Sequence, residues 1–185
     1  MKGSDTSLGY AVLGLLLSGP CHGYALRRRF TRALGPVWKL AQSQLYATLH
    51  RLEEEKLVSS TRRHVEGRPP RVEYAATPEG RKAALDWARA PVRRARHIRV
   101  EFPAKLYILR RNAPQEVLHL LEAQEALLHR LEGRLAGQRA LPSDDPVVGI
   151  LSLELRQHQV QALRAWLARC RQELETQQEG ASDVR

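Results

Sequence analysis

Apolar positions recur at helical spacing from the start of the chain. Leu8, Val12, Leu15 and Leu16 fall at offsets of 0, 4, 7 and 8, and Leu13 and Leu17 widen the stripe. This predicts a helix buried on two sides. Ser18-Gly19-Pro20 ends it, because Gly accepts a left-handed cap and Pro cannot continue the ladder. Leu26, Phe30, Ala33 and Leu34 repeat the offsets and predict a second helix over about 23–34, closed by Gly35-Pro36. A third helix is predicted from near Gln42 to near Lys56, with Leu45, Leu49 and Leu52 inward and Ser43, Ala47, His50, Arg51 and Glu54 outward. Two strands follow, 57–65 and 71–76, joined by the turn-forming tip Glu66-Gly67-Arg68-Pro69-Pro70. Thr77, as N-cap, and Pro78, at the first helical position, open a fourth helix that runs to about Ala90.

The remainder reads as helices alone. Ile98, Phe102 and Leu106 define a short one ending near Arg111. After Pro114, the residues Val117, Leu121, Gln124, Leu128, Leu131 and Leu135 step by four and three, a heptad seam with one polar position. Leu141-Pro142-Ser143-Asp144-Asp145-Pro146 breaks it, with Asp145 as the next N-cap. A last helix is predicted over about 147–177, striped by Val148, Leu151, Leu155, Ala162, Leu163, Trp166, Leu167, Cys170 and Leu174. Two helices of about 40 Å each, at about 1.5 Å per residue, cannot bury both stripes against one another alone, and a second copy of the chain would cover them.

Charge divides the chain at the same place. Of its 185 residues, 1–99 hold 19 Lys and Arg against 8 Asp and Glu, while 100–185 hold 11 against 12. The whole net charge of +10 therefore belongs to the first half, which assigns the polyanion-binding work there. With 43% apolar residues the chain can build a core, and no apolar run approaches the roughly 20 residues that span a bilayer. The two cysteines, Cys21 and Cys170, suggest no disulfide framework and a reducing, cytoplasmic setting. The seven histidines show no metal-ligand spacing, and no phosphate loop, nucleophile elbow or carboxylate pair points to an enzyme. No cofactor or metal is expected.

Three helices, a hairpin and a helix in that order make a winged helix-turn-helix, with the third helix as reader and the hairpin as wing. The expected fold is mainly α with a small β-hairpin: a DNA-binding domain over 1–95 and an α-helical dimerisation and effector domain over 96–185. Ser43, Gln44, Ala47 and His50 are small or hydrogen-bonding and suit approach to base edges, with Arg51 beside them. Tyr24 and Tyr46 are candidates to offer hydroxyls to phosphates, and Arg62, Arg63, Arg68 and Arg71 to carry the wing. Arg27, Arg28 and Arg29 read as phosphate contacts or as a solvated face. Phe102, Leu106, Leu121, Leu128, Leu131, Leu155, Leu163 and Trp166 are the candidate dimer contacts. Trp87, Phe102, Tyr107 and Trp166 are the aromatic residues able to build an effector pocket.

Four stretches carry a family resemblance. His22-Gly23-Tyr24, Leu45-Tyr46, Arg51-Leu52-Glu53 and Gly67-Arg68-Pro69-Pro70-Arg71 stand in order within Leu13–Phe30, Ser43–Val58 and Gly67–Trp87. Together they resemble the PadR family of bacterial transcriptional regulators. The segment Val100–Arg111 and the helical tail resemble, more loosely, the virulence-activator-type C-terminal domain of longer members. The resemblance implies a homodimeric cytoplasmic regulator, nucleoid-associated and usually a repressor, on a pseudo-palindromic operator in double-stranded DNA. It also implies response to a small aromatic, phenolic or cationic effector. Three positions depart from the pattern: Ala47 stands where the family has Pro, Ser43 where it often has Gly, and Lys56 where it has Gly near the end of the reader helix. A non-Gly residue at 56 must accept a strained cap or let the helix end differently. Two other readings stay open on sequence alone, a non-specific basic architectural protein and an activator of the same fold.

Overall fold

The computed structural model of the protein describes residues 2–65, 68–139 and 144–182, with side chains described outside 2–5, 63–71 and 178–182. The order is α1 (Lys2–Leu16), β1 (Cys21–His22), α2 (Gly23–Leu34), α3 (Gln42–Glu54), β2 (Val58–Val65), β3 (Arg68–Ala76), α4 (Pro78–Arg89), α5 (Ala95–Asn112), a 3₁₀ turn (Pro114–Glu116), α6 (Val117–Ala136) and α7 (Pro146–Ser182). The chain packs as two compact units. One comprises 1–90 and 97–117, and the other 91–96 and 118–185. α5 therefore packs with the first unit, whereas the sequence assigns it to a second domain over 96–185.

In the first unit α1 is central. Leu8, Ala11, Val12, Leu13, Leu15 and Leu16 are all buried, which accounts for a stripe wider than one face. Leu26, Phe30 and Leu34 of α2 and Leu45, Leu49 and Leu52 of α3 close on it. Gly14 lets α5 come close: a Cβ there would lie 2.2 Å from Ile108 Cδ1.

The hairpin expected from sequence is the larger part of a three-stranded antiparallel sheet, ordered β1-β3-β2. The two-residue β1 pairs Cys21 with Tyr74 and His22 with Glu73. A strand that short leaves no periodicity to read. β3 starts at Arg68, three residues earlier than expected, and Arg63 stands opposite Arg71. Pro69 and Pro70 lie beyond the reach of β1, so the β3 edge there loses no ladder bond through their missing N–H groups. The tip residues Glu66 and Gly67 lie outside the described residues.

The turn from α3 to β2 carries the one departure with a visible backbone consequence. Lys56 has φ +59°, the only non-glycine residue at positive φ among the described residues. Its N–H donates to the Glu53 carbonyl at 3.0 Å, and the Leu57 N–H donates to Leu52 at 2.8 Å. This bond pair is a Schellman cap with lysine in the left-handed position that glycine usually fills. The Lys56 carbonyl then accepts from Thr77 Oγ1 at 2.9 Å, while that hydroxyl accepts from the Gly80 N–H at 3.0 Å. One threonine thus caps α4 and ties it to the end of α3.

In the second unit α6 and α7 run antiparallel. Arg171 forks onto Glu125 at 2.8 and 3.3 Å, Arg164 pairs with Glu132, and Gln157 Nε2 donates to the Leu135 carbonyl at 3.1 Å. The heptad seam is satisfied within the chain: Leu121, Gln124, Leu128 and Leu135 are buried. Gln124 takes the Val92 N–H on Oε1 at 2.6 Å and donates to its carbonyl at 3.1 Å, so the polar seam position clasps the 91–96 segment. α6 is shorter than expected, 20 residues, and α7 longer, 37. At about 1.5 Å per residue they extend about 30 and 55 Å. The single stripe read on α7 is two. Val160, Leu167 and Leu174, seven residues apart, are buried, whereas Val148, Leu151, Leu155 and Trp166 remain exposed. At 100° per residue these sets lie on different faces.

Candidate nucleic-acid interface

Burial of Leu45, Thr48, Leu49 and Leu52 fixes the roll of α3. Thr48 Oγ1 returns its proton to the Gln44 carbonyl at 2.8 Å, so this buried hydroxyl is satisfied within the helix. The opposite face presents Ser43, Gln44, Ala47 and His50 to solvent, as expected. His50 Nδ1 sits 3.4 Å from Glu54 Oε1, which places a carboxylate on the same face. Arg51 turns toward α1 instead. It is half-buried, it pairs with Glu55 at 3.0 Å, and a Cβ on Gly9 would lie 2.7 Å from its guanidinium.

Tyr24 and Tyr46 do come together. They share an open pocket of about 500 Å³ with His22, Gly23, Val72 and Tyr74. Tyr24 is 68% exposed and Tyr46 42%, and the hydroxyl end of Tyr46 packs on Gly23. Gly23 is what admits the second ring: a Cβ there would stand 2.8 Å from Tyr46 Cε1 and Oη. His22 Nδ1 donates to the Val72 carbonyl at 3.2 Å and fixes the start of α2 against β3. Burial, with Tyr46 and Glu53 nearby, raises the Tyr74 phenol above its usual range. His22 and Gly23, which the sequence marks only as part of the family motif, are the residues that let Tyr46 pack against the start of α2. On the hairpin Arg62 is exposed, while the side chains of Arg63, Arg68 and Arg71 lie outside the described residues.

The aromatic residues considered for an effector differ in burial and in neighbours. Phe102 is fully buried. The Trp87 ring stacks on Tyr10, centroids 5.9 Å apart, and carries the Lys105 ammonium 4.1 Å from its centroid. That ammonium donates to the Trp87 carbonyl and, at 2.9 Å, to that of Ala90, closing the C-terminal end of α4. Tyr107 is half-buried beside arginines of α2 and α5, and Trp166 belongs to the second unit. Of the candidate dimer contacts, Phe102, Leu121 and Leu128 are buried within the chain. Leu106, Leu131 and Leu163 are half-buried, and Leu155 and Trp166 are exposed.

The sequence profile described as "Transcriptional regulator PadR-like family" matches residues 12–85, the span of α1 to α4 that builds this surface. A transcriptional regulator of Mycobacterium tuberculosis, Rv3488, is 44% identical over 77 residues, 42% of this chain and 68% of that protein. The chain belongs to the PadR-like family. The family and these relatives are transcriptional regulators, not enzymes. The negative transcriptional regulator PadR of Bacillus subtilis is 28% identical over 145 residues, 76% of this chain and 78% of that protein. A probable transcriptional regulator of M. tuberculosis, Rv1176c, is 34% identical over 86 residues, and the match spans 46% of each chain, about half the relative's length. Among solved structures, B. subtilis PadR in complex with operator DNA is similar at a TM-score of 0.46 and 24% identity, covering 88% of this chain and 97% of that one. The same protein in complex with p-coumaric acid gives 0.41 and 23%, covering 91% and 99%. The PadR-like match ends before α5, whereas the match to the B. subtilis regulator, 145 residues long, extends past it.

Proposed function

We propose that the chain is a homodimeric, sequence-specific regulator that represses transcription from a pseudo-palindromic operator and leaves it on binding a small aromatic effector. The observation that carries the reading is the exposed polar face of α3 beside the Tyr24–Tyr46 pair. Ser43, Gln44, Ala47 and His50 would read base edges in the major groove, Tyr24 and Tyr46 would hold phosphates, and Arg62, Arg63, Arg68 and Arg71 would carry the wing. Arg51, paired with Glu55 and packed against α1, would not reach the bases. Family membership supports the DNA-binding role and its cytoplasmic setting on the nucleoid. The operator and p-coumaric acid complexes of B. subtilis PadR support an operator and an aromatic effector as the ligands to test first.

The dimer would form through α7. Val148, Leu151, Leu155 and Trp166 are exposed on one face of a helix whose other face is already used, and a second copy would bury them. Two-fold symmetry then matches operator half-sites about one DNA turn apart, roughly 34 Å.

The test is a titration of upstream and scrambled DNA of equal length at two salt concentrations. A preference that survives the higher salt supports the reading, and equal binding that vanishes with salt replaces it with a basic architectural protein. A Leu151→Glu/Leu155→Glu variant, followed by analytical ultracentrifugation, should sediment as a folded monomer. A dimer that persists removes α7 as the interface.

A further inference from the structure

A second open cleft, about 600 Å³, lies between α2 and the C-terminal end of α5. Four guanidiniums line it: Arg28, Arg29 and Arg32 from α2 and Arg111 from α5. Arg29 is already used, because its Nη1 donates to the carbonyls of Leu15 at 2.9 Å and Gly19 at 3.2 Å and so closes the end of α1. Arg111 lies over the Tyr107 ring, 5.6 Å from its centroid. Arg51, Arg89, Arg164, Arg169 and Arg171 each have a carboxylate within 4.0 Å. Arg28, Arg32 and Arg111 have none among the described residues, and no carboxylate lines the cleft.

Three uncompensated cations around one concavity repel one another, and a multiply charged anion between them would remove that cost. Guanidiniums present forked donors that fit phosphate and carboxylate oxygens two at a time. The half-buried Tyr107 ring adds a flat wall, which suits the body of a small molecule. None of the lining residues comes from α3 or the hairpin, the elements proposed above to face the duplex.

We propose that this α2–α5 cleft is a binding site for a small, multiply charged oxyanion, a phosphate ester or a polycarboxylate. Arg28, Arg32 and Arg111 grip its charged groups, and its body rests on Tyr107. The site does not depend on the DNA-binding reading; it adjoins the pocket between Tyr24 and Tyr46 at Ala25 but shares none of its polar side chains.

The experiment is isothermal titration of the full chain, without DNA, with pyrophosphate and separately with citrate, at constant ionic strength set by sodium chloride. One binding event per chain is expected. Arg32→Ala and Arg111→Ala should each weaken it about tenfold, as the loss of a charge-assisted hydrogen bond would. Arg27→Ala, on the same helix but outside the cleft, should leave it unchanged. The proposal fails if the wild-type chain binds neither probe, or if Arg27→Ala weakens binding as much as the cleft variants do. It also fails if Arg32→Ala and Arg111→Ala lose duplex affinity but no probe affinity, which would give the cleft to the DNA backbone. All the substituted side chains are at the surface, and circular dichroism of each variant verifies that it is folded.

Discussion

Replacing Lys56 with glycine should stabilise the first unit. Lys56 sits at φ +59° in the Schellman cap that ends α3. A left-handed backbone costs a residue with a Cβ about 1–2 kcal/mol. Glycine removes that cost but makes the unfolded chain more flexible, which returns about 0.4–1 kcal/mol. The net expectation is a gain of about 0.5–1 kcal/mol for Lys56→Gly. The side chain is exposed and contributes little, so Lys56→Ala, which keeps the Cβ and the strain, should change stability by less than about 0.5 kcal/mol. The assay is urea denaturation followed by the fluorescence of Trp38 and Trp87, in a Trp166→Phe background that silences the second unit. A glycine variant no more stable than the alanine variant would refute the strain argument. It would mean that the lysine aliphatic chain, or a relaxed turn, absorbs the conformation.

Three other substitutions test separate contacts. Gly80→Ala should destabilise by about 3 kcal/mol or more in the same denaturation, because its Cβ would fall 2.0 Å from the backbone carbonyl of Leu57, which cannot swing away. Gly23→Ala should displace the Tyr46 ring, whose far end is free to move, so duplex affinity by fluorescence anisotropy should fall while the urea midpoint barely changes. An unchanged affinity would remove Tyr46 from the interface. Burial lowers the Lys105 pKa from 10.5 to about 8, against the opposing pull of Glu101. The folded state therefore sheds this proton first, the unfolded state binds more protons between those values, and stability rises with pH across the window. Relative to Lys105→Met, the wild-type chain should gain at most about 1.4 kcal/mol per pH unit from pH 8 to 10.5 in urea titrations. A fall over that range would contradict the burial argument.

What the sequence made legible is what one helix can state by itself. α2 runs over 23–34 as its stripe predicts, α3 and α4 begin where their signals stand, and Thr77 and Asp145 cap as expected. The exposed face of α3 followed from the inward leucines, because burying one side of a helix determines the other. What stayed hidden depends on partners distant in sequence. β1 exists only because β3 arrives beside Cys21 and His22. Arg51 shares the outward arc of α3 with His50, but Gly9 of α1 gives it somewhere else to lie. The heptad seam of α6 had the period of an intermolecular coil, yet Gln124 is spent on Val92 of its own chain and α7 covers that unit's apolar groups. The apolar residues left exposed on α7 are the ones the proposed second copy would cover. The arginines of α2 show the same limit from the other side. Along the sequence they are a basic run indistinguishable from a solvated face. Only the approach of Tyr107 and Arg111, some eighty residues away, turns two of them into the walls of a cleft and spends a third on the end of α1.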